Sequence, residues 1–199
     1  MIEIENKRRN FMTQIYFVRH AHSTYTPEER ERPLSEKGWK DAQTVINLLK
    51  EEQIDVVLSS PYKRAIQTVQ GVAQHFDLSI QIEEDLRERL LSKEPVIDFE
   101  KAMMKVWGNP NFSFEGGESN DLAQKRGIQC IQHILTQYKG ENIVIGTHGN
   151  IMVLIMNYFD AQYGFDFWKE LEMPDVYKLS FVGEKLISAK KMEVSKTVQ

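Results

Sequence analysis

Cysteine is nearly missing from this chain of 199 residues: Cys130 is the only one. An intramolecular disulfide is therefore impossible, and so is a cysteine-built metal cluster. Cys130 falls within a helical pattern of apolar residues and reads as a small buried hydrophobe. Long apolar runs are missing too, since no stretch approaches the ~20 residues needed to span a bilayer. The first residues, MIEIENKRRNFMTQ, lack the apolar centre of a secretory signal. The expected location is the cytoplasm. Positive charge is not in excess, with 25 Lys and Arg against 29 Asp and Glu for a net charge of -4. Such a balance gives no general attraction to nucleic acid or to an anionic membrane, so any anion site must be local. Repeats and low-complexity segments are absent as well. What remains, 41% hydrophobic and 27% charged residues, is the composition of a globular protein with one domain's worth of core.

The most informative stretch is Ile15-Tyr16-Phe17-Val18 running into Arg19-His20-Ala21-His22-Ser23. Four large apolar residues read as a fully buried strand, and the polar residues after it fall at its carboxyl end, where open α/β sheets place their ligands. Two further segments share this grammar. Asp55-Val56-Val57-Leu58 leads into Ser59-Ser60-Pro61-Tyr62-Lys63-Arg64, and Asn142-Ile143-Val144-Ile145-Gly146-Thr147 leads into His148-Gly149. Laid side by side and parallel, the three strands would gather Arg19, His20, Arg64 and His148. Two histidines and two guanidinium groups make an anion site with a nucleophile in it.

On these residues the chain resembles the histidine phosphatase superfamily, which includes cofactor-dependent phosphoglycerate mutases and many small phosphatases. RHAHS at 19 to 23 is similar to the family's RHG signature, SSPYKRAIQT at 59 to 68 to its arginine motif, and THG at 147 to 149 to its second histidine. The three matches span most of the chain in the family's order. Ala21 stands where glycine is usual, and Thr26 where an asparagine often helps to bind phosphate. The resemblance implies a three-layer α/β/α sandwich with a mostly parallel central sheet and a helical insertion near the active site. It also singles out Glu88, in Leu86-Arg87-Glu88, as the acid and base of the reaction, with Ser92 where a glycine is often found.

The rest of the chain is expected to be one domain, 1 to 199, with 1 to 12 a mobile extension whose Lys7-Arg8-Arg9 is simply solvated. Ser35 is expected to cap a helix whose core stripe is Trp39, Ala42, Ile46 and Leu49. Ser60 and Pro61 read as cap and first residue of the next helix, with Ala65, Val69, Val72 and Phe76 inward. Leu78 to Ile82 is a short edge strand. Residues 83 to 118 break the strand-helix repeat and read as an insertion or lid, with a helix from Pro95 to Trp107. Trp107, Phe112 and Phe114 either line the pocket or anchor the insertion. Ser119 caps a long helix, and Gly183-Glu184 joins a terminal hairpin. His75 and His133 have no chemical partner in the sequence and read as structural or exposed.

The chemistry expected of this set is phosphate monoester hydrolysis. Arg19, Arg64 and His148 would neutralise the phosphoryl oxygens, and a neutral His20 would attack. Glu88 would protonate the leaving oxygen and then activate water. His22, Ser23 and Thr26 are further candidates for touching the substrate or backing the site. His22 and His20 form an H-x-H pair, but no further ligands complete a zinc site. Neither a metal nor a cofactor is called for, and the expected partner is a small phosphorylated metabolite, not nucleic acid or membrane, with a homodimer left open. The rival readings are a phosphoglycerate mutase and a catalytically idle binder of a phosphorylated ligand.

Overall fold

A computed structural model describes residues 12–193. The expected extension and its basic residues 7 to 9 lie outside the described residues, except that residue 12 opens the first strand. Six strands form one sheet: β1 (Met12–Arg19), β2 (Val56–Ser59), β3 (Ile80–Ile82), β4 (Asn142–Thr147), β5 (Asp175–Val182) and β6 (Lys185–Lys191). Their order is β3-β2-β4-β1-β5-β6. The pairings from β3 through β1 are parallel, and β5 and β6 add antiparallel to the β1 edge. This is the mostly parallel sheet the three apolar runs predicted.

Helices cover both faces because β1 is apolar on both. Ile15 and Phe17 face one side, where they join Ile131 and Ile134 of α4 (Asn120–Gln137) and Ile151 and Ile155 of α5 (Gly149–Phe159). Tyr16 and Val18 face the other, against Val45 and Leu49 of α1 (Glu36–Leu49) and Val69 and Val72 of α2 (Lys63–His75). Alternation of side chains along a strand makes this two-sided burial automatic. All four β1 residues are fully buried. Cys130 is buried on α4, as expected, and burial followed by the nearby Glu83 charge pushes its thiol up to about 12. His75 and His133 are exposed. Among the described residues no helix is long and apolar enough to cross a membrane.

One helix face and three boundaries differ from expectation, the edge strand β3 beginning at Ile80 and not at Leu78. The buried stripe of α1 is Gly38, Ala42, Val45 and Leu49, whereas Trp39 is 47% exposed. Gly38 sets this face: a Cβ there would lie 2.0 Å from the backbone oxygen of His22, so only glycine lets the helix rest on the loop after β1. α2 starts at Lys63, two residues later than Ser60 and Pro61 implied, although the Ser60 hydroxyl accepts from the Tyr62 N–H at 3.3 Å while also bonding to His148. The helix of the insertion, α3 (Phe99–Gly108), begins after Pro95-Val96-Ile97, where Asp98 accepts from the Lys101 N–H. A last short helix, α6 (Phe165–Glu170), precedes the terminal hairpin, whose Gly183 has φ +58°.

Ala is a better helix former than Gly by about 1 kcal/mol, yet Gly38→Ala should destabilise the protein by about 1–3 kcal/mol, because the new methyl meets a backbone oxygen that cannot step aside alone. Urea unfolding of both proteins checks this. A gain in stability would show that helix propensity dominates and that the loop is not docked on α1.

Candidate active site

Parallel pairing places the strand ends at one edge of the sheet. Arg19 lies opposite Thr147, and Ser59 opposite Gly146. The next residues along are His20, His148 and Ser60. The His20 and His148 rings are 5.2 Å apart at 66°. Arg64, in the first turn of α2 and only 3% exposed, reaches back so that its Nε donates to His20 Nε2 at 3.1 Å. The four residues expected to meet therefore do.

A hydrogen bond fixes the state of the His20 ring. An Arg64 N–H aimed at His20 Nε2 requires a lone pair there, and His20 Nδ1 then carries the proton and donates to the Ala21 carbonyl at 2.8 Å. Burial, and after it the Arg64 charge, push His20 from 6.5 down to about 3. His148 is fully buried, and burial followed by the His20 and Arg64 neighbours holds it well below its ordinary value. Its Nε2 lies 2.7 Å from the Ser60 hydroxyl. With Ser60 as donor, the proton sits on Nδ1, a buried atom with no partner within the described residues. The Tyr62 ring packs edge-on to His148 at 4.8 Å and lies 4.8 Å from the Arg64 guanidinium carbon.

Arg19 is braced differently. Its Nη1 donates to the Leu171 carbonyl at 2.6 Å and to that of Glu172 at 3.3 Å, while its buried Nε has no partner within the described residues. Burial lowers both arginines from the ordinary guanidinium range, with carboxylates pulling the other way: Glu88 then Asp175 for Arg19, Glu29 then Glu88 for Arg64. Gly149 is needed here, since a Cβ would come within 3.0 Å of the Arg19 Nε.

Glu88 belongs to the same cluster, where its charge acts on Arg19 and Arg64. Its Oε1 accepts from the backbone N–H groups of Arg89 at 2.9 Å and Ile151 at 3.0 Å, and its Oε2 from Asn150 at 3.0 Å. A carboxylate suits the N-terminus of α5, where those N–H groups have no helical acceptor. Behind it, Arg126 holds the segment down. It forms a forked pair with Glu118 at 2.7 and 2.8 Å and donates to the carbonyls of Asp85 at 2.6 Å and Arg87 at 3.0 Å. Thr147 adds a bond to the Leu86 carbonyl at 2.9 Å.

The three auxiliary candidates bond along the loop between β1 and α1. His22 Nδ1 lies 2.8 Å from the Ser35 hydroxyl, Ser23 forms a backbone bridge with Leu34, and Thr26 donates to the Glu28 carbonyl at 3.0 Å. Their visible work is to shape that loop. Its tip brings in a residue not singled out by sequence: Glu29 accepts from Arg64 through its backbone oxygen at 2.8 Å and through Oε1 at 3.1 Å. Glu29 sits in a run dense in both charges, which in sequence looks like a solvated face. Ser60 and Tyr62 were also missed as site residues, though both lie within the arginine motif. In the insertion, Phe112 and Phe114 pack edge-on at 4.9 Å, with Lys105 over the Phe112 ring at 4.0 Å, and Trp107 packs against the core. Among the described residues no group of three or more His, Cys, Asp and Glu stands together in a way that could hold a metal ion.

A sheet edge carrying two histidines, the buried Arg64 and the half-buried Arg19 is a cationic cluster suited to an anion. The family model for the histidine phosphatase superfamily (branch 1) matches residues 15–186, and the chain belongs to that superfamily. It is 32% identical over 158 residues to a metal-independent phosphoserine phosphatase of Arabidopsis thaliana, covering 71% of this chain and 66% of the relative. To phosphoglycerate mutase-like protein 4 of the same plant it is 31% identical over 155 residues, covering 70% and 67%. The match thus spans about two thirds of each of these relatives. Among solved structures, a mycobacterial glucosyl-3-phosphoglycerate phosphatase superposes with TM-score 0.72 at 18% identity, covering 90% of this chain and 97% of that one. YhfR of Bacillus stearothermophilus gives 0.74 at 23%, covering 94% and 98%.

The lowered His20 and His148 values have a testable sign. In the unfolded chain a histidine takes its proton near 6.5, whereas folded His20 stays neutral down to about 3. The contribution to stability is complete above 6.5 and is lost as pH falls toward 3. The His20 ring resonances should therefore stay fixed between about pH 8 and 5 while unfolding becomes easier over the acid part of that range. A His20 titration centred near 6.5 would contradict the neutral ring.

Proposed function

We propose that the protein is a metal-independent phosphomonoesterase acting on small phosphorylated metabolites through a phosphohistidine on His20. The observation that carries the reading is the bond between the Arg64 Nε and His20 Nε2. It marks the nitrogen lone pair and places a fixed positive charge beside the atom that would receive the phosphoryl group.

The reaction proceeds in two displacements. His20 Nε2, released by the Arg64 N–H, forms a bond to phosphorus as the ester P–O bond breaks, and the leaving oxygen takes a proton from Glu88, which the negative charge of the bound phosphoryl group brings to its protonated form. Charge on the transferring oxygens is met by Arg19, Arg64 and the Nδ1–H of His148. Water then attacks phosphorus, the P–N bond breaks, Glu88 takes the proton, and inorganic phosphate leaves. Support for hydrolysis of a small monoester comes from the likeness to phosphatases of phosphoserine and of a glucosylated phosphoglycerate. The likeness to a phosphoglycerate mutase-like protein supports mutase action as a second reading. Against it, the loop after β1 brings the Glu29 carboxylate to the site, where it would repel the carboxylate of a sugar acid.

The discriminating experiment is a phosphate-release assay run beside a coupled assay for 3- and 2-phosphoglycerate interconversion, with 2,3-bisphosphoglycerate supplied to both and excess chelator added to the phosphate-release assay alone. Phosphate release should dominate and survive the chelator, and labelled substrate should leave acid-labile phosphate on His20. Mutase turnover well above hydrolysis would overturn the phosphatase reading, and activity restored only by zinc or magnesium would overturn the mechanism.

Glu88→Gln tests the proton donor. An alkyl phosphate needs a proton on its leaving oxygen, whereas nitrophenolate departs without one, so the alkyl substrate should lose about ten- to a hundredfold more rate than the nitrophenyl ester. Equal losses on both would move the acid to another residue.

A further inference from the structure

The Arg64 guanidinium, on which the proposed phosphatase site depends, is already occupied from within the chain. Its Nε is directed at His20, and each of the other two nitrogens gives one of its N–H groups to one residue: Nη1 to the Glu29 carbonyl at 2.8 Å and Nη2 to the Glu29 carboxylate at 3.1 Å. The Arg64 side chain is 4% exposed and that of Glu29 49% exposed, so Glu29 covers the arginine from the solvent side. A phosphoryl group drawn to Arg64 beside His20 would share that guanidinium with the Glu29 carboxylate and be repelled by it.

What holds Glu29 there is slight. The short 3-10 turn Glu29–Glu31 buries no residue. The turn is latched by Arg30 to Glu84 at 2.7 Å, an ion pair with both partners 55% exposed, and Arg32 lies 3.8 Å from the Glu29 carboxylate. Exposed pairs of this kind contribute little. The base of the loop is firm by contrast, tied by Thr24 to Pro33 and Ser35 to His22 backbone bonds of 2.9 and 3.0 Å. A tip free of apolar anchors on a fixed base can lift without disturbing His20.

We propose that Glu29 is a built-in competitor for the phosphate position, a carboxylate that occupies Arg64 between turnovers and must be displaced by the incoming phosphoryl group. The apparent affinity of every ligand that uses Arg64 is then reduced by the fraction of molecules in which Glu29 is seated. Weakly held anions are kept out, and product phosphate is expelled as Glu29 returns. Glu29 thus sets the affinity of the site while taking no part in the bond changes.

The inference rests on the phosphatase reading, and its test separates the two. Inorganic phosphate is titrated calorimetrically into the wild type, Glu29→Gln, Glu29→Asp and Glu28→Gln. Glu28 is the control, removing the same charge one residue away from a position that does not bond to Arg64. Glu29→Gln should bind phosphate about three- to tenfold more tightly, Glu29→Asp should fall between it and the wild type, and Glu28→Gln should stay within about twofold. Product inhibition by phosphate should strengthen in parallel in Glu29→Gln. Unchanged or weaker binding in a folded Glu29→Gln would overturn the competitor role, as would an equal gain in Glu28→Gln, which would reduce the effect to general charge. No phosphate binding by any of the folded proteins would instead overturn the phosphate site itself, and the competitor with it.

Discussion

The constraint on which the site depends is that two guanidinium charges are withdrawn from water beside an imidazole that must stay neutral. Removing a cation from water costs several kcal/mol unless its N–H groups find acceptors. Here the acceptors are unequal. Arg19 receives the carbonyls of Leu171 and Glu172, and Arg64 receives His20 and Glu29. Neither is locked into a buried carboxylate pair, so each retains attraction for an arriving anion. Burial, with these two charges behind it, keeps a proton off His20, so the surroundings that bind a phosphoryl group also leave the attacking nitrogen unprotonated, with its lone pair held by the Arg64 Nε until the phosphoryl group arrives. One electrostatic arrangement thus serves binding and nucleophilicity together.

Such a field is useful only if its parts stay aligned, and the sheet supplies the alignment. Arg19 and His20 leave β1 where His148 leaves β4, in parallel register, so their spacing is set by the strand ladder. Glu88 comes from outside that repeat and is tied back into it twice. Its carboxylate sits on the first N–H groups of α5, the helix that His148 begins. The Arg126 fork and the Thr147 hydroxyl hold the carbonyls just before it. Removing Arg126 would leave Glu118 without its forked partner and free the segment that carries Glu88. That couples the insertion to the chemistry without any contact to a substrate.

What was legible in the sequence follows from these physics. Buried parallel strands are uniformly apolar and stop abruptly, so β1, β2 and β4 and the residues at their ends could be read directly. The helical face of α1 could not, because its orientation depends on Gly38 meeting a carbonyl of another segment, and apolar periodicity alone favoured Trp39. Ser60 before Pro61 has the look of a helix cap, yet its hydroxyl serves His148. A local and a tertiary use share this atom, since the hydroxyl also accepts from the Tyr62 N–H at 3.3 Å, and only the folded arrangement shows the second. Glu29 was the least legible. One carboxylate in Glu28-Glu29-Arg30-Glu31-Arg32 differs from its neighbours only by where the loop base aims it.

The two arginines divide the phosphate position into a fixed half and an exchangeable half. Arg19 is held by backbone carbonyls of the segment leading into β5, and Gly149 leaves it no spare room, so its direction is part of the fold. Arg64 is rigid at its Nε, through His20, but its outer nitrogens face a loop tip that nothing apolar holds down. Changes in that tip can therefore alter how readily the position empties and fills without moving the nucleophile or the proton donor. Changes at Arg19, Gly149 or the end of β1 cannot, because the geometry that fixes the charge is also the geometry that fixes His20. In this protein the residues free to adjust affinity lie between β1 and α1, and those that fix the reaction lie at the sheet edge and the start of α5.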